Sequence, residues 1–482
     1  MTEDIRHTIR TTDGLGIAEL IARKEMTAAE VLDASLSLID ELNPHINAVT
    51  IPMADEAASR LKEGLPAGPF AGVPMLLKDV AAASYKGVAC TLSSRLLENN
   101  IADYDTDIVV RYKECGAQIL GRTNLPNFGP GISTESVFRG PARNPWNLGR
   151  MTGGSSGGAA AAVASGMVPI AHATDAAGSL RVPAAHCGLV GLKTTRGRNP
   201  AGPKLSQLAA GLGTAHVLTR SVRDTAAMLD ATHRPMMVED SVPPQPLDTY
   251  LACIAAKPRR LRVAVCRRAF DGGPVETNCL FAVDHAARLC EALGHAIEEA
   301  APQFDFQKIR RHFALAHGGS WWPMVRTLLA KLGRDPVPEE IEPGAYHWAE
   351  LGARFDAAAY ADAVRNLNDV ARDISRFFNQ YDILITPTTP APPYPLGTLT
   401  MMEPDFEKYC DGVFRHAVFT VPFNCSGQPA ISLPLWWTED GLPIGAQFIG
   451  RFGREDVLLQ LAKNLEDATD QFKVPAHATL KV

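Results

Sequence analysis

Thr152-Gly153-Gly154-Ser155-Ser156-Gly157-Gly158 opens the stretch on which the reading of this chain turns. A run of small residues follows from Ala159 to Met167, then an apolar segment from Val168 to Ala173. After that comes Thr174-Asp175-Ala176-Ala177-Gly178-Ser179-Leu180-Arg181. The pattern predicts two Gly- and Ser-rich loops flanking an Ala-rich helix and a short buried strand. Glycine tolerates backbone angles that other residues avoid, so such loops bring the main chain close to a ligand and aim successive N–H groups at one point. Each loop also carries a serine that can serve as nucleophile or proton relay. A flexible linker is the plainer reading of the glycine–serine run. Linkers, however, rarely run straight into a helix of Ala and Val with no polar face.

Upstream, Gly72-Val73-Pro74-Met75-Leu76-Leu77-Lys78-Asp79 reads as a short apolar strand closing on a lysine. Taken alone, that lysine is the solvated end of a strand. To act as a base it must lose its proton, which burial promotes by disfavouring the charged form. Three separated motifs in this order, G-x-P-x-x-x-K-D, G-G-S-S-G-G and T-D-x-x-G-S-x-R-x-P-A-A, resemble the amidase signature family of serine hydrolases. The resemblance implies a Ser–cis-Ser–Lys triad, with Ser179 as nucleophile, Ser155 as the bridging serine and Lys78 as base. The two serines stand 24 residues apart, which is the family's spacing. It also implies that Ser156 orients the relay from behind.

Amide hydrolysis needs an activated nucleophile, donors for the oxyanion and an acid for the leaving amine. The turn that ends on Ser179 can supply the donors through the backbone N–H groups of Ala176, Ala177, Gly178 and Ser179. A serine hydroxyl can relay a proton because it both donates and accepts. Asp175 and Arg181 flank this turn and read as a pair that holds it, with an ordinary surface ion pair as the plainer account. The chain departs from the family pattern at several places. Ala173 and Ala177 replace glycines, Arg122 stands for a lysine, Ser136 for an asparagine, and Arg139 occupies an apolar slot. A positive φ at Ala177 would add strain; otherwise its methyl only narrows the pocket. His186-Cys187 suggests a rival cysteine hydrolase, but neighbours on a strand point to opposite faces, and Cys187 reads as a small buried hydrophobe.

At 482 residues the chain is long enough for two domains or one large one. Hydrophobic residues make up 46% and charged residues 21%, the balance of a soluble globular protein. A net charge of −6 argues against nucleic acid as a partner. No apolar run reaches membrane-spanning length, and Met1 to Arg10 lacks a signal core. The 9 cysteines are scattered without a C-x-x-C pair, so neither a metal nor a disulfide framework is expected. Reduced thiols in a bacterial-type cytoplasm fit this composition.

Periodicity predicts a helix from Gly16 to Leu42, with a capping box at Thr27 and Glu30 and a stop at Asn43-Pro44. Strands are expected at Gly116–Gly121, Gly188–Leu192 and Arg262–Cys266, with a helix at Val283–Leu293 and another across Ala349–Phe378. Thr195 opens a long loop toward Thr219. Two more strands are read in Phe423–Pro434 and Gly441–Gly450, before a final helix at Val457–Leu465. This alternation implies one large α/β domain across residues 1–482, a mixed central sheet covered by helices on both faces. The family-like core covers about 60–230 and 420–466. The resemblance thins between Met236 and Glu403, where Trp321, Trp322, Tyr346 and Trp348 supply aromatic bulk and the substrate pocket wall is expected.

The function implied is an amidohydrolase working through an acyl-enzyme, without cofactor, on a small-molecule amide. Gln428-Pro429-Ala430 and Gly450-Arg451-Phe452-Gly453 are similar to the tail of bacterial amidases of the 6-aminohexanoate-cyclic-dimer hydrolase type. Small linear or cyclic amides follow as substrates, with anilides, carbamates and esters beside them. No membrane partner is expected, and a homodimer is left open. Two rivals are a component of a tRNA-dependent amidotransferase that hands ammonia to a partner, and a binding protein on a dead hydrolase fold. The intact Lys78, Ser155 and Ser179 weigh against the second.

Overall fold

The computed structural model describes residues 2–233 and 242–472. Among these residues, eleven strands numbered along the chain form the central sheet: β1 (Val49–Pro52), β2 (Pro74–Lys78), β3 (Gln118–Thr123), β4 (Ile170–Asp175), β5 (Val190–Lys193), β6 (Thr214–Thr219), β7 (Arg262–Val265), β8 (Ala296–Glu299), β9 (Ile383–Pro387), β10 (Ala430–Trp437) and β11 (Pro443–Gly450). Their spatial order is β1-β3-β2-β4-β6-β5-β10-β11-β9-β7-β8. The sheet is mixed: β3, β2 and β4 run parallel, as do β9, β7 and β8, while the strands between them are antiparallel. Strands β2, β3, β5, β6, β9 and β11 are buried along their whole length. Helices cover both faces, which is why these strands are buried on both sides and lack a polar, solvent-facing alternation. No helix among the described residues is long and apolar enough to cross a membrane.

Several expected elements take a different form. The N-terminal periodicity is shared by two helices, Gly14–Ala22 and α1 (Ala28–Ile46), because Lys24 adopts a left-handed turn between them and the Thr27–Glu30 capping box starts α1 afresh. Helix α1 runs past Asn43-Pro44 to a left-handed Asn47. A proline in the last turn removes only one backbone donor, while the Asn43 side chain ties down the amides of Ala48 and Val49. Helices α2 (Gly157–Ala164) and α3 (Arg181–Cys187) follow the two Gly-rich loops. His186 and Cys187 therefore lie on a helix, not on a strand. The long loop after Thr195 contains β6, and Phe423 to Ser426 belong to a short helix before β10.

The middle section adds α4 (Phe306–Leu332), α5 (Pro343–Ala353) and α6 (Ala357–Phe377), and α7 (Phe406–His416) follows it. The single helix expected across Ala349–Phe378 is broken at residues 354–356, where Asp356 caps a new start. The expected boundary at Met236 lies outside the described residues.

Every residue of α2 is buried. It packs on β2, β4, β6 and α3 with side chains no larger than valine, so its backbone comes close to its neighbours. At Gly158 an added Cβ would sit 2.5 Å from the Asn124 amide nitrogen and 2.7 Å from the Ala48 carbonyl oxygen. Only glycine fits there. The parallel strands β2 and β4 are adjacent, and each ends at the same side of the sheet, β2 with Lys78 and β4 with Thr174-Asp175. The carboxyl ends of parallel strands are where α/β sheets commonly place their ligands.

Candidate active site

Lys78, the last residue of β2, is buried, yet its ammonium nitrogen reaches three hydroxyls. It lies 2.7 Å from Ser155 Oγ, 3.0 Å from Ser156 Oγ and 2.9 Å from Thr174 Oγ1. Burial pushes its pKa down to about 7, against a smaller upward pull from Asp175. Among the described residues no carboxylate pairs with it directly, so little opposes the loss of its proton. Ser156 bridges the two loops: its hydroxyl donates to the Thr174 carbonyl at 3.2 Å, and its amide donates to the Ser179 carbonyl at 3.1 Å. The Gly154–Ser155 peptide is cis.

Asp79, next to the lysine, turns away from the site. Its buried carboxylate lies 3.0 Å from Arg122 Nε and accepts from the Thr91 amide and hydroxyl. The arginine on β3 thus supplies the positive charge that this buried carboxylate requires.

The turn after β4 is held by Asp175. One carboxylate oxygen accepts from the Gly178 amide at 2.8 Å; the other accepts from the Leu180 and Arg181 amides at the start of α3. Arg181 reaches both oxygens at 2.9 Å. The guanidinium goes on to the Thr420 carbonyl, Gln447 Oε1 and Asn424 Oδ1 at 3.0, 2.7 and 2.6 Å. Burial alone would raise the Asp175 pKa, but Arg181, Lys193 and Asn424 together outweigh it and hold the carboxyl well below the usual carboxylate range. Asp175 and Arg181 are both fully buried, so they are not a surface ion pair.

Of the amides expected to serve the oxyanion, the Gly178 N–H is spent on Asp175, which removes it from that role. The amides of Ala176, Ala177 and Ser179 have no hydrogen-bond partner among the described residues, and these three residues line a cavity. Ala177 keeps a negative φ, so its methyl costs no backbone strain; Gly178 carries the positive φ, at 130°. An added Cβ at Gly178 would collide with the Thr420 hydroxyl, which itself accepts nothing from the turn but donates to the Ala177 carbonyl at 2.6 Å.

The cavity has a volume of about 310 Å³, with Lys78, Ser155, Thr174 and Ser179 on its floor. Its walls are mostly apolar: Leu92 and Phe128 on one side, Phe313, Trp321, Met324 and Trp348 from α4 and α5, and Phe414 from α7. The residue 205–210 loop closes another side. Ser179 is half-buried at this surface, and no hydrogen bond joins its hydroxyl to Ser155 among the described residues. Catalytic hydrogen bonds are often long before substrate arrives.

The structure therefore gathers Lys78, Ser155, Ser156 and Ser179 at one cavity, and places Asp175 and Arg181 behind its floor. The sequence reading left out Thr174, Thr420, Asn424 and Gln447. The first was visible in the Thr174-Asp175 motif, and Asn424 and Gln447 sit in the two C-terminal motifs already noted. His186 and Cys187 are elsewhere: His186 Nε2 faces His416 Nε2 at 3.3 Å, and Cys187 Sγ points to the Thr152 carbonyl at 3.7 Å. Burial drives the Cys187 thiol pKa far up, which suppresses the thiolate that a cysteine nucleophile requires.

Comparison with known proteins identifies the family and the fold. A family model described as Amidase matches residues 30–459. The 6-aminohexanoate-cyclic-dimer hydrolase of Paenarthrobacter ureafaciens is 37% identical over 469 residues, covering 95% of this chain and 94% of that protein. One glutamyl-tRNA(Gln) amidotransferase subunit, from Carboxydothermus hydrogenoformans, is 33% identical over 490 residues, covering 95% and 97%. A solved structure of 6-aminohexanoate cyclic dimer hydrolase superposes with a TM-score of 0.91 at 35% identity, over 96% of this chain and 98% of that one.

Proposed function

The chain belongs to the amidase signature family, hydrolases of carbon–nitrogen bonds other than peptide bonds, and from that premise we propose that it cleaves small uncharged amides through Ser179, Ser155 and Lys78. The observation that carries the reading is a buried lysine with a lowered pKa, bound to Ser155 on the floor of a cavity that also presents Ser179 and unpaired amides. A neutral amine has two N–H groups and one lone pair. The Ser156 hydroxyl hydrogen is used on the Thr174 carbonyl, so Ser156 accepts from Lys78, as does Thr174. The lone pair is then left for the Ser155 hydroxyl.

Ser179 Oγ attacks the carbonyl carbon while its proton passes to Ser155 and the Ser155 proton to Lys78. The oxyanion accepts from the amides of Ala176, Ala177 and Ser179. Collapse of the tetrahedral intermediate breaks the C–N bond, and the proton held by Lys78 returns through Ser155 to the departing nitrogen. Water then attacks the acyl-Ser179 ester by the same relay, releasing the carboxylic acid and restoring the hydroxyl. The apolar walls and the cavity of about 310 Å³ favour small linear or cyclic amides, with anilides, carbamates and esters as further substrates.

The purified chain is to be tested on a panel of amide, anilide, carbamate, ester and glutamine, with Ser179→Ala as control and a sulfonyl fluoride as label. Hydrolysis by the chain alone, a mass increase located on Ser179, and loss of both in Ser179→Ala are expected. Turnover that survives Ser179→Ala would overturn the reading. Glutaminase activity that appears only with a partner would favour an amidotransferase component instead.

A further inference from the structure

One wall residue of the cavity does not match its neighbours. His317, on α4, is buried to 6% exposure and lines the cavity between Phe313, Trp321 and Trp348. Its ring stacks on Phe313 with centroids 5.5 Å apart and meets Trp348 edge-on at 5.9 Å. Trp348 Nε1 donates to His317 Nδ1 at 2.8 Å. An indole nitrogen can only donate, so Nδ1 carries no hydrogen and the ring proton sits on Nε2. Burial keeps the ring neutral by pushing its pKa down to about 4. Among the described residues Nε2 has no partner, and it is not among the buried polar atoms sealed from solvent. The solvent it meets is that of the cavity. The fold thus fixes this N–H donor between the aromatic rings of Phe313, Trp321 and Trp348, while the hydroxyl of the neighbouring Ser320 is spent on the His317 carbonyl.

Resting on the hydrolase reading above, we infer that His317 Nε2–H is a specificity determinant that binds a neutral acceptor, a second carbonyl, on the substrate remote from the bond that Ser179 cleaves. An unpaired donor in an apolar wall discriminates strongly against a substrate that leaves it unsatisfied, because its desolvation is then uncompensated. A carboxylate is the wrong acceptor here. The one cation lining the cavity among the described residues is Lys78, which the reaction occupies. A diamide, cyclic or linear, suits the site better than a monoamide or an amino acid derivative.

The test compares two linear anilides of equal length. One has an acetamide at its far end; in the other, that amide is replaced by methylenes. Each is assayed for kcat/KM with the wild type, and for binding by calorimetry to Ser179→Ala. The wild type is expected to prefer the diamide by about tenfold or more. His317→Phe keeps the flat ring but offers no donor, so its preference should fall to about unity through loss on the diamide alone. His317→Gln can accept from Trp348 with its carbonyl oxygen and donate with its amide, and should recover most of the preference. Near-ultraviolet circular dichroism and sulfonyl fluoride labelling of Ser179 report whether each variant keeps its fold and floor. Equal use of the two compounds by the wild type, equal binding of them by Ser179→Ala, or an undiminished preference in His317→Phe, overturns the inference. Failure of both compounds to bind overturns it as well. Labelling and turnover of the methylene compound would stand in the first three cases, so the hydrolase reading would survive them.

Discussion

Lys78 Nζ lies 2.7 Å from Ser155 Oγ, and the side chains that meet there come from the end of one strand and the loop before a helix 77 residues away. The lysine is charged in the unfolded chain at neutral pH and near its titration point in the fold, where burial has lowered its pKa from 10.5 to about 7. Activity that needs the neutral amine should rise with pH through about 7 on a single limb and then level off. Lys78→Ala should lose orders of magnitude in kcat with little change in KM, and Lys78→Arg should not recover it, since guanidinium cannot accept a proton. A pH–rate profile beside the turnover of both variants checks this; near-normal activity in Lys78→Arg would remove the base role.

The same burial has a consequence for stability. Between pH 7 and 10.5 the unfolded chain holds a proton on Lys78 that the folded chain has released, so stability rises with pH across that window. Below pH 7 the fold carries the full cost of the buried charge. Lys78→Met should therefore melt higher than the wild type at pH 6, with the difference shrinking toward pH 10. Calorimetric melting at three pH values decides it, and a variant that melts lower throughout would show that the three hydroxyl contacts outweigh the desolvation.

The Ser179 turn offers a contrast between neighbours. Ala177→Gly removes one methyl at a residue with ordinary φ, so a cost of about 0.4–1 kcal/mol and a modest change in rate are expected. Gly178→Ala places a Cβ against Thr420 at a φ of 130°. Displacement of the turn by even 1 Å should lower kcat by about 100-fold. The double variant Gly178→Ala with Thr420→Ala should stay impaired, because the backbone angle remains unsuitable for a side chain. Urea melts and kcat for the set check both halves.

The residues of the floor were legible in the sequence through short motifs that resemble a known family, since Lys78 taken alone reads as the solvated end of a strand. Lys78, Ser155, Ser156 and Ser179 stand out because their motifs resemble that family's, while Asp175 and Arg181 read as a pair from their places at the two ends of one turn. Part of the mixed sheet was legible from short apolar runs such as Met75-Leu76-Leu77, whereas β6, with His216 and two threonines in its six residues, was read as loop. What could not be read were partners chosen by tertiary packing. Gly178 lies among the expected amide donors, yet Asp175 takes its N–H through a side-chain direction that no spacing specifies. His317 and Trp348 stand 31 residues apart on two helices and meet only because α4 and α5 pack together. The single helix drawn across Ala349–Phe378 failed at Arg354-Phe355-Asp356, where capping by Asp356 overrides a continuous apolar period.

Cys187 supplies a chemical control. Its thiol is fully buried, has its pKa raised by burial, and points to the Thr152 carbonyl at 3.7 Å. Iodoacetamide at neutral pH should leave activity intact, and Cys187→Ala should retain near-normal kcat with a stability loss of about 1 kcal/mol from the small cavity. Mass analysis after alkylation checks the first expectation. Inactivation tracking modification of Cys187 would reopen the cysteine route.

Asp175 and Arg181 form the buried pair on which the turn depends. Asp175→Asn leaves the guanidinium without a countercharge in a place water does not reach, and breaking such a pair costs about 3–5 kcal/mol. Arg181→Lys should fail to restore the site, since a single ammonium cannot hold both Asp175 oxygens, Asn424, Gln447 and the Thr420 carbonyl together. The pH dependence has a definite sign. The Asp175 pKa is held below its ordinary 3.8, so its contribution is present above that value and is lost as pH falls further. Wild type should thus lose stability below about pH 4 more steeply than Asp175→Asn, and the two denaturation midpoints should converge in acid. Urea titrations of both proteins from pH 7 down to pH 3 measure this. Parallel curves would mean that the carboxylate is not the group that ties the turn to Arg181.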